Sequence, residues 1–376
     1  MSRTFPYIPP DRPTIAIVGE APGFEESLKG QPFVGQSGKE LTRMLQTAEI
    51  NRLNCYITNV FWDRPPENSV DNWCVSAREL DDSYPYRYVR KGYYLKREYL
   101  EYKYRKTEEE DRKFISKLAE RFHREQPGEM VSILDRLALE LSTVRPNVVI
   151  ALGNTACWAL LNTDGIGKIR GTALESTLVP GMKVLPTYHP AAVLRNWNQR
   201  PIVLADLIKA ANESQFPEIR RPKRQIWIEP TLEDLESFWA QYLQDAPYIA
   251  CDIETKANQI TCIGFAPSED LAIVVPFFGE TRGSYWPTSA EEVLAWRWVQ
   301  RVLQSPAAKI FHNGLYDMQY IWRAGIPIRN ASEDTMILHH ALQPELLKSL
   351  GFLGSIYTAE SDWKRLRGGE SGKLEE

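Results

Sequence analysis

Several short segments carry residue types that can do chemistry, and each follows an apolar run. The first is Gly19-Glu20-Ala21-Pro22-Gly23, continued by Glu25-Glu26 and by Gly30-Gln31-Pro32-Phe33-Val34-Gly35. Next come Tyr56-Ile57-Thr58-Asn59-Val60 with Arg64-Pro65-Pro66-Glu67-Asn68, and finally Tyr188-His189-Pro190-Ala191-Ala192-Val193-Leu194-Arg195. An asparagine amide offers a donor and an acceptor side by side, and an imidazole nitrogen can donate or accept. An aromatic ring can stack on a planar group without reading its identity. Alone, each is ordinary: histidine before proline caps a loop, asparagine at a strand end forms a turn, and phenylalanine fills a core. Together, in this order and each after a strand, they form a site. A second set begins at Asp252-Ile253-Glu254, where strand alternation puts both carboxylates on one face, fit to ligate a hard divalent ion. It continues with His312-Asn313-Gly314-Leu315-Tyr316-Asp317 after the apolar Lys309-Ile310-Phe311.

These residues need elements to position them. Thr14 to Val18 is short, β-branched and continuous, which predicts a buried parallel strand. Similar runs lie at 55–60, 147–152 and 183–186, with helical stretches at 39–48, 131–142 and 155–161 between them. Strands alternating with helices imply an α/β sandwich with functional loops at the strand C-termini. Residues 84–106 break the rhythm with eight tyrosines and eight Lys or Arg. They read either as an inserted amphipathic helical hairpin packed on the domain or as a DNA-contacting segment. The polar stretch 212–230 suits an interdomain linker, after which runs at 248–254, 260–265 and 271–275 predict an antiparallel meander followed by helices near 290–303 and 316–324. The expected organisation is a first domain over 1–211 with an insertion at about 73–130, and a second over 231–376. A chain of 376 residues suits two domains, and 43% hydrophobic with 25% charged residues suits a globular protein. A net charge of −4 excludes a wholly basic surface, so any nucleic-acid contact must come from local patches. The five cysteines form no CxxC pair and read as reduced thiols. With neither a signal-peptide pattern nor a membrane-length apolar run, the expected location is the cytoplasm of a bacterium or virus-infected cell, without membrane attachment.

Residues 14–211, apart from the insertion, resemble the uracil-DNA glycosylase superfamily, and most closely its family 4 branch. That resemblance implies a four-stranded parallel sheet sandwiched by helices and a base rotated out of DNA into a pocket. By it, Phe33 stacks on the pyrimidine and Asn59 reads the uracil edge. His189 donates to the departing carbonyl oxygen as charge develops there. Ala21 and Gly23 belong to the uracil-binding set, their backbone approaching phosphate or placing a water, and Glu20 and Glu26 orient that water. Val193 or Leu194 wedges into the vacated stack, with Arg195 beside it on the DNA. Family 4 members carry four cysteines that hold an iron–sulfur cluster, one of them directly before Arg-Pro-Pro. Here Asp63 stands in that place and no CxxC precedes it, so no cluster is expected.

Residues 247–360 resemble the DEDD-type 3′–5′ exonuclease domain of family A DNA polymerases, which implies a ribonuclease H-like fold. By that resemblance Asp252, Glu254 and Asp317 ligate Mg2+ or Mn2+, and Asn313 lies near the incoming strand. The further carboxylate of that family, with a tyrosine four residues ahead, has no counterpart here, so the domain is expected to be partial. The leading expectation is hydrolytic excision of uracil from single-stranded or duplex DNA. The alternatives are a catalytically weak DNA-binding or polymerase-associated accessory protein, and the N-terminal part of a split polymerase with proofreading exonuclease.

Overall fold

A computed structural model of the protein describes residues 3–76, 93–125, 128–163, 165–279 and 283–360. Two compact units result, Met1–Ile219 joined by the segment from Gly351, and Arg220–Leu350.

In the first unit, β1 (Ile15–Gly19) runs into α1 (Phe24–Lys29) and α2 (Gln36–Thr47), followed by β2 (Tyr56–Asn59). A short ribbon, β3 (Cys74–Ser76) with antiparallel β4 (Tyr93–Leu95), leads to α3 (Arg97–Leu100), α4 (Glu108–Arg121) and α5 (Ile133–Val144). Then come β5 (Val148–Leu152), α6 (Asn154–Leu161), α7 (Ile166–Ile169), β6 (Leu174–Glu175), β7 (Lys183–Thr187), α8 (Pro190–Arg195) and α9 (Arg200–Glu213).

The sheet order is β2-β1-β5-β7-β6. Four strands are parallel, as expected, and the two-residue β6 adds an antiparallel edge on β7. All residues of β1, β2, β5 and β7 are buried, because helices cover both faces of the sheet. Ala16 and Val18 face one apolar layer with Trp158 and Leu137, whereas Ile15 and Ile17 face another with Leu41 and Met44. α5 starts where Ser132 accepts from the Asp135 N–H and Asp135 reaches back to the Ser132 N–H, satisfying orphan donors of the first turn.

The insertion departs from expectation. Its described part is a β-ribbon followed by short helices and α4, not a helical hairpin. Tyr102 is buried against Asp111 (2.5 Å) and Tyr99 stacks on Trp73 at 4.9 Å, so packing claims these two tyrosines, while Tyr104 is exposed. Tyr84, Tyr86 and Tyr88 lie outside the described residues.

The second unit starts with β8 (Gln225–Trp227) and α10 (Leu232–Phe238), then β9 (Tyr248–Lys256), β10 (Gln259–Ser268) and β11 (Leu271–Pro276). It continues with α11 (Ser289–Gln304), β12 (Ala308–Phe311), α12 (Gly314–Arg323), β13 (Ala331–Asp334) and α13 (Thr335–Leu342). The next helix, α14 (Leu350–Tyr357), belongs from Gly351 on to the first unit and not to a second domain reaching 376, because Arg170 of the first unit donates to Ser355 Oγ at 2.9 Å. The sheet order is β13-β12-β9-β10-β11-β8, with an antiparallel β9-β10-β11 meander flanked by parallel pairs. β8 pairs with β11, so the stretch read as linker is partly sheet, its Gln225-Ile226-Trp227 forming the edge strand.

Candidate active site

The strand C-termini of the first unit converge on a cavity of about 420 Å³, walled by Glu20 to Gly23, Glu26, Phe33, Asn59, Gly153 to Thr155, Tyr188 and His189. Parallel register sets Gly19 of β1 beside Asn59 of β2. A Cβ at position 19 would lie 2.4 Å from Asn59 Oδ1 and 2.5 Å from Phe33 Cζ. Glycine is therefore what lets the amide and the ring close on the strand end. Asn59 is buried and its side-chain amide makes no hydrogen bond among the described residues, leaving donor and acceptor for something in the cavity.

Phe33 sits in the left-handed region at φ 54 and is 4% exposed. Such a conformation in an aromatic persists only where the surroundings over-determine it. Arg52 donates to the carbonyls of Pro32, Phe33 and Gly38 at 3.0, 2.8 and 3.1 Å. The Glu26 carboxylate accepts the N–H groups of Gly23, Phe33 and Val34. A Cβ at Gly38 would strike the Phe33 carbonyl at 1.9 Å, so close helix approach also fixes the ring.

His189 caps α8, its Nδ1 accepting the Ala191 N–H at 3.1 Å. That bond assigns the proton to Nε2 in the neutral ring. Burial, reinforced by the charge of Arg195, pushes the imidazole down to about 4, so the ring is neutral near pH 7. Its centroid lies 5.8 Å from that of Phe33.

The structure redistributes several expected roles. Glu20 lines the cavity and accepts from Thr155 Oγ1 at 2.5 Å. Glu26 is buried and braces the two glycine-containing loops, so it is committed to backbone donors rather than to a water. The Gly23 N–H is used by that brace, which removes it as an anion donor; Ala21 contributes cavity wall. Val193 is fully buried in the core beneath α8 and has no surface to insert into DNA, whereas Leu194 is 46% exposed. Arg195 is exposed and lines the cavity. The β5 loop, Gly153-Asn154-Thr155, was missed from the sequence. Its signal was a glycine directly after a buried strand, and Gly153 has φ +87 with the His189 Cβ packed against it.

The residues do not fit an iron–sulfur cluster. Asp63 accepts from Arg3 (3.1 Å) and from Arg105, and Arg3 also pairs with Asp111 at 2.5 Å. Cys55 and Cys157 are buried, with thiols pushed up to about 12, and the Cys74 thiol donates to the Val70 carbonyl at 3.4 Å. Among the described residues no group of three His, Cys, Asp or Glu is spaced to hold a metal.

The same holds for the second unit. Asp252 and Glu254 are exposed on one face of β9, as alternation requires. Asp317 is buried on α12, accepts the Ile253 N–H at 3.0 Å, and is pushed up to about 6 by burial with the Asp252 charge adding. Carboxylate oxygens suit a hard divalent ion, but the three do not form a metal-ready group. Asn313, at φ 59, caps α12 and donates its N–H to Asp334, a helix-capping carboxylate that also accepts from Gly314, Met336 and Ile337.

Comparison with known proteins follows this division. Residues 228–359 match the 3'-5' exonuclease family. Solved structures similar to the chain include the EXO domain of Aedes aegypti Nibbler (12% identity, 42% of this chain and 80% of that one, TM-score 0.30). Escherichia coli RNase D is another, at 19% identity and TM-score 0.23, covering 31% of this chain and 28% of that one. The type-4 uracil-DNA glycosylase of Archaeoglobus fulgidus is 30% identical over 195 residues, covering 50% of this chain and 71% of the relative. That of Thermotoga maritima is 29% identical over 200 residues, covering 52% and 75%. The matched region holds the parallel sheet and every wall of the cavity, and residues 5–213, more than half of the chain, place it in the Uracil DNA glycosylase superfamily, to which this chain belongs.

Proposed function

We propose that this chain hydrolyses the N-glycosidic bond of uracil in DNA, with the base rotated out of the strand into the cavity at the ends of β1, β2, β5 and β7. The observation that carries this reading is the neutral His189, whose Nδ1 is occupied by the Ala191 N–H and whose remaining donor is Nε2–H. As the bond from C1′ to N1 breaks, its electron pair leaves with the base and negative charge spreads to the uracil carbonyl oxygens. A preorganised donor at such an oxygen stabilises the transition state more than the ground state. Phe33 stacks on the pyrimidine. Asn59 matches the donor–acceptor edge of uracil and mismatches the amino group of cytosine. Glu20, held by Thr155, orients the water whose oxygen adds to C1′ and whose released proton ends on the uracil anion, while Glu26 positions the loops. Ala21 and the Gly23 backbone border the base, and Leu194 and Arg195 meet the DNA. No step uses a metal or an iron–sulfur cluster.

We propose that the second domain is a DNA-holding part. Nuclease turnover with Mg2+ or Mn2+ would need a ligand beyond Asp252, Glu254 and Asp317, from this chain or from a partner such as a polymerase. Uracil-containing single strand and duplex, incubated without divalent metal, should yield alkali-labile abasic sites. His189→Ala and Asn59→Ala should each lower the rate by about 10²-fold or more. Absence of abasic product, or variants equal to wild type, refutes the mechanism.

A further inference from the structure

At the cavity rim two exposed aromatic rings each stand near an arginine that has no acidic partner among the described residues. Beside Gly23 and Pro65, which line the cavity, Phe24 is 60% exposed and the Arg64 guanidinium lies 5.2 Å from its ring. Beside the cavity-lining Arg195, Trp197 is 60% exposed, with Arg200 at 5.3 Å from its ring. Arg200 is held by Glu40 at 2.8 Å, whereas Arg64 and Arg195 have no ion pair among the described residues. Both rings stay solvent-facing beside the cavity and join neither apolar layer of the sheet. Aromatic platforms with unpaired cations are the means by which proteins hold unpaired nucleic-acid strands, base on ring and phosphate on cation.

We infer that the rim is a track for single-stranded DNA, in which the bases on either side of the extruded nucleotide stack on Phe24 and Trp197 and the adjoining phosphates sit on Arg64 and Arg195. This rests on the glycosylase reading and adds to it the substrate class: the unpaired strand is preferred over duplex, because paired bases cannot turn their faces to either ring.

The test uses the 376-residue chain in EDTA with single-stranded pentanucleotides carrying a central uracil. Its two neighbours are either ordinary bases or tetrahydrofuran spacers, which keep the phosphates and remove the bases. KM for excision and Kd by fluorescence anisotropy are both measured. In wild type, each spacer should weaken binding by about 5- to 150-fold. Phe24→Ala and Trp197→Ala should bind the base-flanked strand weakly and become indifferent to the spacer on their own side. Trp197→Phe should restore most of the sensitivity. Both positions are exposed, so unchanged unfolding midpoints accompany these effects. A wild type that treats the two pentanucleotides alike, alanine variants as spacer-sensitive as wild type, or duplex bound more tightly than single strand overturns the track. Absence of excision refutes the glycosylase reading instead, and the anisotropy comparison still decides the track.

Discussion

Gly19→Ala tests the geometry of the base-reading site without touching any side chain assigned to chemistry. The added methyl carbon would sit 2.4 Å from Asn59 Oδ1 and 2.5 Å from Phe33 Cζ, where ordinary contact begins at 3.4 Å. Both groups must therefore retreat by about 1 Å, or the strand end must shift by as much. Phe33 has little room to comply, since Arg52 and Glu26 hold its backbone on two sides. A displacement of about 1 Å at a positioned reacting centre costs about 10²-fold in rate, and over-packing of this kind costs about 1–3 kcal/mol of stability. The assay is single-turnover excision from a uracil-containing strand, alongside urea unfolding. The expected result is a rate near one hundredth of wild type in a folded protein, with cytosine still refused or less well refused. A Gly19→Ala protein within about threefold of wild-type rate would refute the claim that Gly19, Asn59 and Phe33 form one base-reading unit.

Other consequences are equally direct. Because burial holds His189 at about 4, its titration should leave the excision rate flat from pH 8 to about 5 and depress it only as pH approaches 4. A limb centred near 6.5 that is lost in His189→Ala would contradict the neutral-donor assignment. The same depressed value means that the unfolded chain takes up this proton first, so the His189 contribution to stability is complete above about 6.5 and is lost as pH falls toward 4. Arg136 and Glu140 form a buried pair at 2.6 Å that also receives the Tyr56 hydroxyl at 2.8 Å. Glu140→Leu strands a buried guanidinium and should cost about 3–5 kcal/mol in denaturant unfolding; a loss below 1 kcal/mol would show the pair to be dispensable. Val193→Ala should destabilise through a cavity in the core, whereas Leu194→Ala should leave the unfolding midpoint unchanged and weaken DNA binding.

Much of the first domain was legible because β-branched runs buried on both faces have a local signature, and because chemistry-bearing residues stood directly after them. The ends of β1, β2 and β7 therefore announced Glu20, Asn59 and His189 before any contact was known. Asp252 and Glu254 were legible for the same kind of reason, since alternation alone puts them on one face. What the sequence could not express depends on packing between distant segments. Helical phase decided that Val193 points into the core and Leu194 outward, although the two are adjacent in the chain and both follow His189 within five residues. Backbone donors from three residues captured Glu26, turning a plausible water ligand into a brace. The insertion's ribbon depends on pairing Cys74–Ser76 with Tyr93–Leu95, and the supposed linker became an edge strand by pairing with β11. The identity of the chemical groups was thus written locally. Their protonation, exposure and freedom to act were set by tertiary burial, since desolvation and hydrogen-bond capture are properties of neighbours that the chain brings together only on folding.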